Sequence, residues 1–202
     1  MKLYYIPGAC SMAAHIVALE TGIPLSFHKV DMSEKGKFVD GEDYANISPT
    51  SLVPTLILDD GNKLTEAAVI MQYLAAQVPE KNLAPDEGML HWRLLEVLNF
   101  LSTEVHKNFT PLFNPSLQAD ARQLFEDLLK KRLSYLAENM IGQSGYLVGD
   151  DYTIADAYLF TLLGWAQFQK IDLGFAPALG EYAGRIGSRP AVIQALKDEG
   201  LA

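Results

Sequence analysis

A single cysteine carries the most reactive side chain of this 202-residue sequence. Cys10 lies in the segment Pro7–Ser11, between an apolar-aromatic run typical of a strand and the start of a helical pattern. Free amides and the positive end of the helix dipole stabilise an anion at such a place. The position therefore predicts a thiol with a lowered pKa that is nucleophilic or redox-active. A small, buried and inert residue is the alternative that position alone leaves open.

Cys10 has no second thiol with which to work. The run Cys10-Ser11-Met12-Ala13 lacks the C-x-x-C spacing, which excludes a two-thiol thioredoxin mechanism and leaves a monothiol route through an external thiol. One cysteine also excludes an internal disulfide and a cysteine-based zinc cluster, and no His, Asp and Glu spacing predicts a metal site. A lone thiol suits a reducing compartment, so we expect a cytoplasmic protein without a metal.

A second place for chemistry is the helix start at Thr65-Glu66-Ala67, where Thr65 is the predicted cap. The free amides of this first turn can hold a carboxylate, and Glu66 can pair with an ammonium group. An α-amino acid carries both groups on one carbon, so the turn would suit its capture. Simple capping with an acid in the first turn is the alternative.

A third place is a polar stripe on a predicted helix over residues 88–108. At about 100° per residue, one face of this helix is polar and the other apolar. The polar face carries Trp92, Glu96, Asn99, Thr103 and His106, with Lys107 at its edge, and the apolar face carries Leu94, Val97, Leu98, Leu101 and Val105. The apolar face predicts core packing, whereas the polar face fits solvent, a cleft or a subunit interface.

The elements that must position these residues divide into two sets. Over residues 1–78 the pattern predicts β-α-β-α-β-β-α, with the first two strands parallel and residues 31–50 forming a loop and a short helix. Residues 79–86 are predicted to form a linker. Residues 87–202 show no strand pattern, and helical periodicity predicts an all-α domain with helices over 88–108, 119–139, 154–169 and 178–198. Thr153–Asp156 predicts a capping box, and the apolar run after it predicts a buried central helix.

Charge and hydropathy narrow the classes of function. The formal net charge is -9, from 25 acidic and 16 basic residues, which disfavours binding to nucleic acid. No run of about 20 apolar residues occurs, so no membrane-spanning helix is expected. The N-terminal lysine is not followed by a long apolar stretch, unlike in a signal peptide.

Five segments together resemble the glutathione transferase family, and its bacterial beta class closely. They are MKLYYIPGACS from Met1, Val53-Pro54, LTEAAVIMQYLA from Leu64, LNFLSTEVHKNFTPLF from Leu98 and YTIADAYLF from Tyr152. The resemblance spans essentially the whole chain. It implies a thioredoxin-like α/β N-terminal domain, an all-α C-terminal domain and a homodimer.

The resemblance also implies how the N-terminal domain meets glutathione. Cys10 would lie beside the glutathione sulfur and could form a mixed disulfide with it. Val53, before a cis Pro54, would pair its backbone with the cysteinyl part of the tripeptide. Glu66 and Ala67 would hold the γ-glutamyl end. Ala67 stands where family members usually have serine or glycine, so we expect somewhat weaker binding of the γ-glutamyl end of glutathione.

Further residues are implied by the same resemblance. Asn99 and Thr103 would reach the γ-glutamyl group across the dimer interface. His106 and Lys107 would lie near the sulfur and a hydrophobic second-substrate pocket between the domains. Lys35 is the expected partner of the glycyl carboxylate, with Lys37 as the runner-up.

The resemblance implies conjugation of glutathione to small hydrophobic electrophiles, with a role in detoxification. The amides after Cys10, Ser11 and the His106/Lys107 pair are expected to stabilise the attacking thiolate. Two alternatives stay open. Cys10 could serve mainly in glutathione-dependent disulfide reduction, or the chain could be a binding protein that keeps the fold without catalysis.

Overall fold

The computed structural model describes all residues, 1–202, and the chain divides into two compact units. The N-terminal unit comprises Met1–Lys81 together with Pro190–Ala202, and the helical unit comprises Asn82–Arg189. The sequence-based division placed the C-terminal tail in the helical domain, whereas here the tail groups with the N-terminal unit.

The N-terminal unit is built on a four-stranded sheet with strand order β2-β1-β6-β7. The four strands are β1 (Lys2–Tyr5), β2 (Ser26–Lys29), β6 (Thr55–Ile57) and β7 (Lys63–Thr65). As predicted, β1 and β2 are parallel, and helix α1 (Ser11–Thr21) connects them, whereas β6 and β7 are antiparallel to their neighbours. Helix α2 (Ala67–Ala76) follows β7 and packs against α1. This is the predicted thioredoxin-like arrangement.

The segment predicted as a loop over residues 31–50 is partly strand, so that part of the prediction is wrong. It forms a three-stranded antiparallel sheet of β3 (Asp31–Ser33), β4 (Gly36–Val39) and β5 (Glu42–Asp43), followed by the expected short helix at Tyr44–Asn46. These strands have two to four residues and mostly exposed side chains. They therefore rest on backbone pairing and lack the apolar alternation by which strands are recognised in a sequence.

The helical unit contains no strand, as predicted. Its helices are α3 (Gly88–Phe100), a π-helical stretch (Leu101–His106) with α4 (Lys107–Phe109), α5 (Ala119–Tyr135), α6 (Ile154–Phe168) and α7 (Pro177–Gly187). The single helix predicted over 178–198 is wrong. Helix α7 ends at Gly187, and α8 (Pro190–Asp198) begins at a proline, which has no N–H to continue a preceding helix. No helix of the chain is long and apolar enough to cross a bilayer.

The start of α6 confirms the predicted capping box. The Thr153 N–H donates to Asp156 Oδ2 at 2.8 Å, and the Leu147 N–H and the Tyr182 hydroxyl donate to Asp156 Oδ1 at 3.1 Å and 2.8 Å. The Asp156 carboxylate is fully buried, and these donors offset the cost of burying it. Most of α6 is buried, as expected of a central helix.

Candidate functional site

Cys10 occupies the cap position of α1, directly after the loop that leaves β1. Its side chain is half-buried and unpaired with any other cysteine. Its Sγ donates to the carbonyl oxygen of Val53 at 3.2 Å, which ties the helix start to the residue before β6. The Val53–Pro54 peptide bond is cis, as the resemblance implied.

The expectation of a lowered pKa for Cys10 is wrong in this structure. Burial, followed by the negative charge of Glu66, raises the pKa of the thiol from 9.0 to about 12. The backbone amides of Cys10 and Ser11 and the charge of Lys37 lower it, but by less than burial raises it. The amides favour the anion as the sequence indicated, yet desolvation outweighs them, so Cys10 is a protonated thiol at neutral pH.

The Ser11 side chain faces the strand exit and not the thiol. It is buried, and its hydroxyl both accepts from the Ile6 N–H and donates to the Ile6 carbonyl, each at 3.2 Å. Ser11 therefore holds the loop between β1 and α1 in shape. Only its backbone amide favours the Cys10 thiolate.

A carboxylate that sequence reasoning missed supports the same loop from the C-terminal tail. Glu199 is buried, and its Oε2 accepts from the Gly8 N–H at 2.8 Å, two residues before Cys10. Its Oε1 lies 2.9 Å from Nδ1 of His15, a fully buried residue of α1. No pattern in the sequence predicts this contact, because the partners are separated by 191 positions and the tail reads as an ordinary helix end.

Glu66 takes the cap position of α2, where Thr65 had been predicted. Its backbone has φ 67 and ψ 119, and residues other than glycine rarely adopt a positive φ. Its carbonyl accepts from the Val69 and Ile70 N–H groups, and its exposed carboxylate caps nothing. The first amides of the helix, from the buried Ala67 onward, are therefore free to meet an incoming carboxylate.

The two lysines proposed for the glycyl carboxylate differ in placement. Lys37 on β4 is half-buried, and its Nζ donates to the Ser51 carbonyl at 2.6 Å. Lys35 lies in the exposed turn between β3 and β4. Because the charges of Lys37 and Glu66 both act on Cys10, these three groups and Val53 form one neighbourhood within the N-terminal unit.

The polar stripe of the helical unit is exposed except at the half-buried His106, and its opposite face is buried as predicted. Asn99 and Thr103 turn back onto their own helix, Asn99 Nδ2 donating to the Leu95 carbonyl at 2.9 Å and Thr103 Oγ1 to the Asn99 carbonyl at 3.0 Å. Trp92 on the same face is 62% exposed. Both polar side chains are thus held close to the helix surface.

His106 ends the π-helical stretch as a half-buried, neutral side chain. Burial, followed by the charge of Lys107, lowers the pKa of His106 from 6.5 to about 4. Of the pair that was expected to stabilise the thiolate, His106 is therefore neutral at pH 7, and the exposed Lys107 is the cation. His106 Nδ1 lies 2.7 Å from the Tyr158 hydroxyl, a partner that the sequence did not indicate.

Aromatic rings surround His106 within the helical unit. Its ring meets Trp165 edge-on at 4.8 Å between centroids, and Phe113 meets the same indole at 5.2 Å. Phe113 also stacks on Phe168 at 6.1 Å. Phe113 and Phe168 are 43% and 74% exposed, so this aromatic cluster presents two rings to solvent. No group of three or more His, Cys, Asp and Glu residues lies in metal-binding proximity.

Comparison with known proteins identifies relatives over the full length of the chain. The profile described as the N-terminal domain of glutathione S-transferase matches residues 8–77, and the profile of its C-terminal domain matches residues 100–190. Glutathione S-transferase GstA of Escherichia coli O157:H7 is 42% identical over 202 residues, 100% of both chains. The glutathione S-transferase GST-4.5 of Xanthomonas campestris is 34% identical, again over 100% of both chains.

Solved structures agree with these relatives. The bacterial transferase BphK, in a ternary complex, superposes with a TM-score of 0.94 at 44% identity and covers 100% of both chains. A beta-class glutathione S-transferase of Sphingomonas chungbukensis superposes with a TM-score of 0.93 at 41% identity, also over 100% of both chains. A sphingomonad glutathione S-transferase complexed with glutathione superposes equally well, at 42% identity.

Proposed function

Because the chain belongs to the glutathione S-transferase family, we propose that it conjugates glutathione to small hydrophobic electrophiles. The thiolate of glutathione attacks an electrophilic carbon, a carbon–sulfur bond forms, and the leaving group departs with its electron pair. The relatives that support this activity match over the full length and are transferases by name. The sphingomonad relative was solved with glutathione bound.

The observation that carries the proposal is the backbone of Glu66. A residue other than glycine held at φ 67 costs on the order of 1–3 kcal/mol, and residues strained in this way cluster at active sites and ligand clamps. Here it leaves a carboxylate and the free amides of Ala67 and the following residue side by side. The pair complements an α-amino acid, whose carboxylate meets the amides while its ammonium meets Glu66. The γ-glutamyl end of glutathione has this chemistry.

The rest of the tripeptide is assigned to the same unit. The Val53 backbone, followed by the buried Pro54, is proposed to pair with the cysteinyl residue. For the glycyl carboxylate, the structure favours Lys37 over Lys35, because Lys37 is anchored on Ser51 while Lys35 extends from a turn.

The sulfur of glutathione is proposed to lie beside Cys10, where the amides of Cys10 and Ser11 favour an anion. When glutathione binds, the S–H of a protonated Cys10 would turn from the Val53 carbonyl oxygen to donate to that thiolate. We further propose that Lys107 contributes positive charge to the sulfur and that His106 contributes a neutral hydrogen bond. These roles follow the family resemblance, corrected for the neutral state of His106.

Primary disulfide reduction through Cys10 is disfavoured, because exchange requires a thiolate and the pKa of Cys10 is about 12. We propose it as a secondary activity. Cys10→Ala separates the two reactions, since exchange should vanish while conjugation continues at a reduced rate.

The proposal extends to assembly and setting. Asn99 and Thr103 are proposed to reach the γ-glutamyl group of a partner subunit in a homodimer, with the exposed Trp92 in the interface. Light scattering after size exclusion tests the dimer directly.

The lone free thiol favours a cytoplasmic protein, and the exposed aromatic rings of the helical unit suit a role in detoxifying aromatic electrophiles.

Two measurements test the central proposal. Conjugation of glutathione to an activated halonitroarene, followed by absorbance, should exceed the uncatalysed rate and saturate in both substrates. Calorimetric titration with glutathione should show binding that Glu66→Gln weakens by about 10- to 100-fold, because a hydrogen-bonded charge pair is lost. Glu80→Gln, at an exposed acid of the same unit, should bind as wild type does. Absence of conjugation with intact binding would favour the non-catalytic binding protein instead.

A further inference from the structure

The ring of His106 is held by two neighbours in the helical unit. Its Nδ1 lies 2.7 Å from the hydroxyl oxygen of Tyr158, a buried residue of α6. Its ring packs against Trp165 in a T-shaped arrangement, with 80° between the ring planes. One nitrogen and the plane of the ring are therefore fixed, which leaves Nε2 as the only polar atom of the side chain that forms no hydrogen bond within the chain.

The chemistry of the two groups decides which of them donates. The ring is neutral, so one nitrogen carries a proton and the other accepts. A phenol is a stronger acid than a neutral imidazole N–H, and an imidazole nitrogen is a stronger base than a phenol oxygen. The 2.7 Å separation is shorter than the usual N–H···O distance and typical of an O–H donor. Tyr158 therefore donates, and His106 Nδ1 accepts.

We propose that Tyr158 is a positioning residue for the transferase reaction, because its hydroxyl occupies Nδ1 of His106 and so places the ring proton on Nε2. The hydrogen bond at one imidazole nitrogen sets the role of the other. His106 then offers the glutathione sulfur an N–H donor. This inference rests on the proposed function, which brings the thiolate to His106.

The assignment changes the role of His106 in the reaction. A ring with its proton on Nε2 cannot take the thiol proton through that atom, so His106 is not the general base. The thiol proton leaves to water or buffer, the thiolate accepts the Nε2–H hydrogen bond, and the electron pair on sulfur then forms the bond to carbon. The imidazole is unchanged at the end of the cycle.

Nitrogen NMR reads the tautomer directly, without any substrate. In protein labelled with ¹⁵N at histidine, His106 should show a protonated Nε2 and an unprotonated Nδ1 at pH 7. Tyr158→Phe should change the Nδ1 shift and allow the other tautomer to appear. A protonated Nδ1 in the wild-type protein would overturn the proposal, whatever the activity.

A second readout is the pKa of bound glutathione, measured from thiolate absorbance in the ultraviolet. Loss of one hydrogen bond to sulfur should raise this pKa by about 0.5 to 1 unit in Tyr158→Phe and lower kcat several-fold, with little change in the KM for glutathione. Tyr182→Phe is the matched control, since it removes a buried hydroxyl from Asp156 in the same unit and leaves His106 untouched. Equal pKa values in both variants would refute the positioning role.

The two proposals fail in different ways. A protein that neither binds nor conjugates glutathione would remove the proposed function, while the tautomer of His106 could still be read. A protein that conjugates normally but carries its His106 proton on Nδ1 would keep the proposed function and remove the role of Tyr158.

Discussion

The ionisation of Cys10 gives the sharpest quantitative expectation. Its pKa rises from 9.0 to about 12, a difference of 3 between the two values, which corresponds to about a thousandfold less thiolate at pH 8. Because only the thiolate reacts with alkylating agents, iodoacetamide should modify native Cys10 about a thousandfold more slowly than an ordinary thiol. Chain burial can slow it further by limiting access.

The chain supplies its own reference, since it contains a single cysteine. Mass spectrometry can follow modification of the same thiol in native and urea-unfolded protein. The rate for unfolded protein should level off above about pH 10, while the native rate should keep rising beyond that pH. A native rate within tenfold of the unfolded rate, or a plateau below pH 9, would refute the assignment of a protonated thiol.

Two substitutions of opposite sign test the cause of the shift. Glu66 raises the pKa of Cys10, and Lys37 lowers it. Glu66→Gln should therefore speed alkylation, and Lys37→Met should slow it. If both changed the rate in the same direction, access to the thiol would govern the reaction and not charge.

Three further results are expected. Glu199→Ala should reduce the free energy of unfolding in urea by about 1–3 kcal/mol, because it removes the carboxylate that accepts from the half-buried Gly8 amide; a smaller loss is expected for Glu199→Gln, and equal losses would contradict the hydrogen-bond account. The pKa of His106 in the folded protein is about 4, below its unfolded value of 6.5, so the unfolded chain binds more protons between these pH values. The contribution of His106 to the free energy of unfolding therefore falls by up to about 3 kcal/mol as the pH drops from 6.5 to about 4. His106→Gln should flatten that part of the stability profile, and an unchanged profile would argue that the ring is exposed. Lys37→Met should raise the KM for glutathione more than Lys35→Met does, and the reverse order would return the glycyl carboxylate to Lys35.

The sequence predicts those parts of the fold that local pattern controls. The structure contains three features that the spacing of residues predicts: the βαβ unit around α1, the capping box at Asp156 and the apolar face of α3. The small sheet of β3–β5 escapes prediction because its strands are short and polar and depend on pairing. Pro190 is a helix-breaking residue in the sequence, but the apolar periodicity continues on both sides of it, so the pattern predicts one helix where the structure has α7 and α8.

The sequence nominates residues for the candidate site but gives little information on their protonation states. Positions alone indicate Cys10 and Glu66, because each begins a helix after a strand. Their protonation depends on how much water the fold removes, which no local pattern encodes. Cys10 thus keeps its proton despite the helix dipole, and His106 stays neutral despite its place among polar residues. The sequence also does not predict hydrogen-bond partners that are distant along the chain, such as Glu199 for Gly8 and Tyr158 for His106.

The two units differ in the kind of group that they offer a substrate, and this difference bears on specificity. In the N-terminal unit the amides of α2 and the backbone of Val53 are main-chain groups, which persist when side chains change. These are the groups that are proposed to hold the shared substrate, glutathione. The helical unit instead presents exposed side chains, Phe113 and Phe168, whose replacement would alter shape without disturbing the fold. Discrimination among apolar electrophiles is worth only about 1–3 kcal/mol per methylene, so exchange of one such ring is enough to redirect it. Choice of electrophile should therefore follow Phe113 and Phe168, while affinity for glutathione should not.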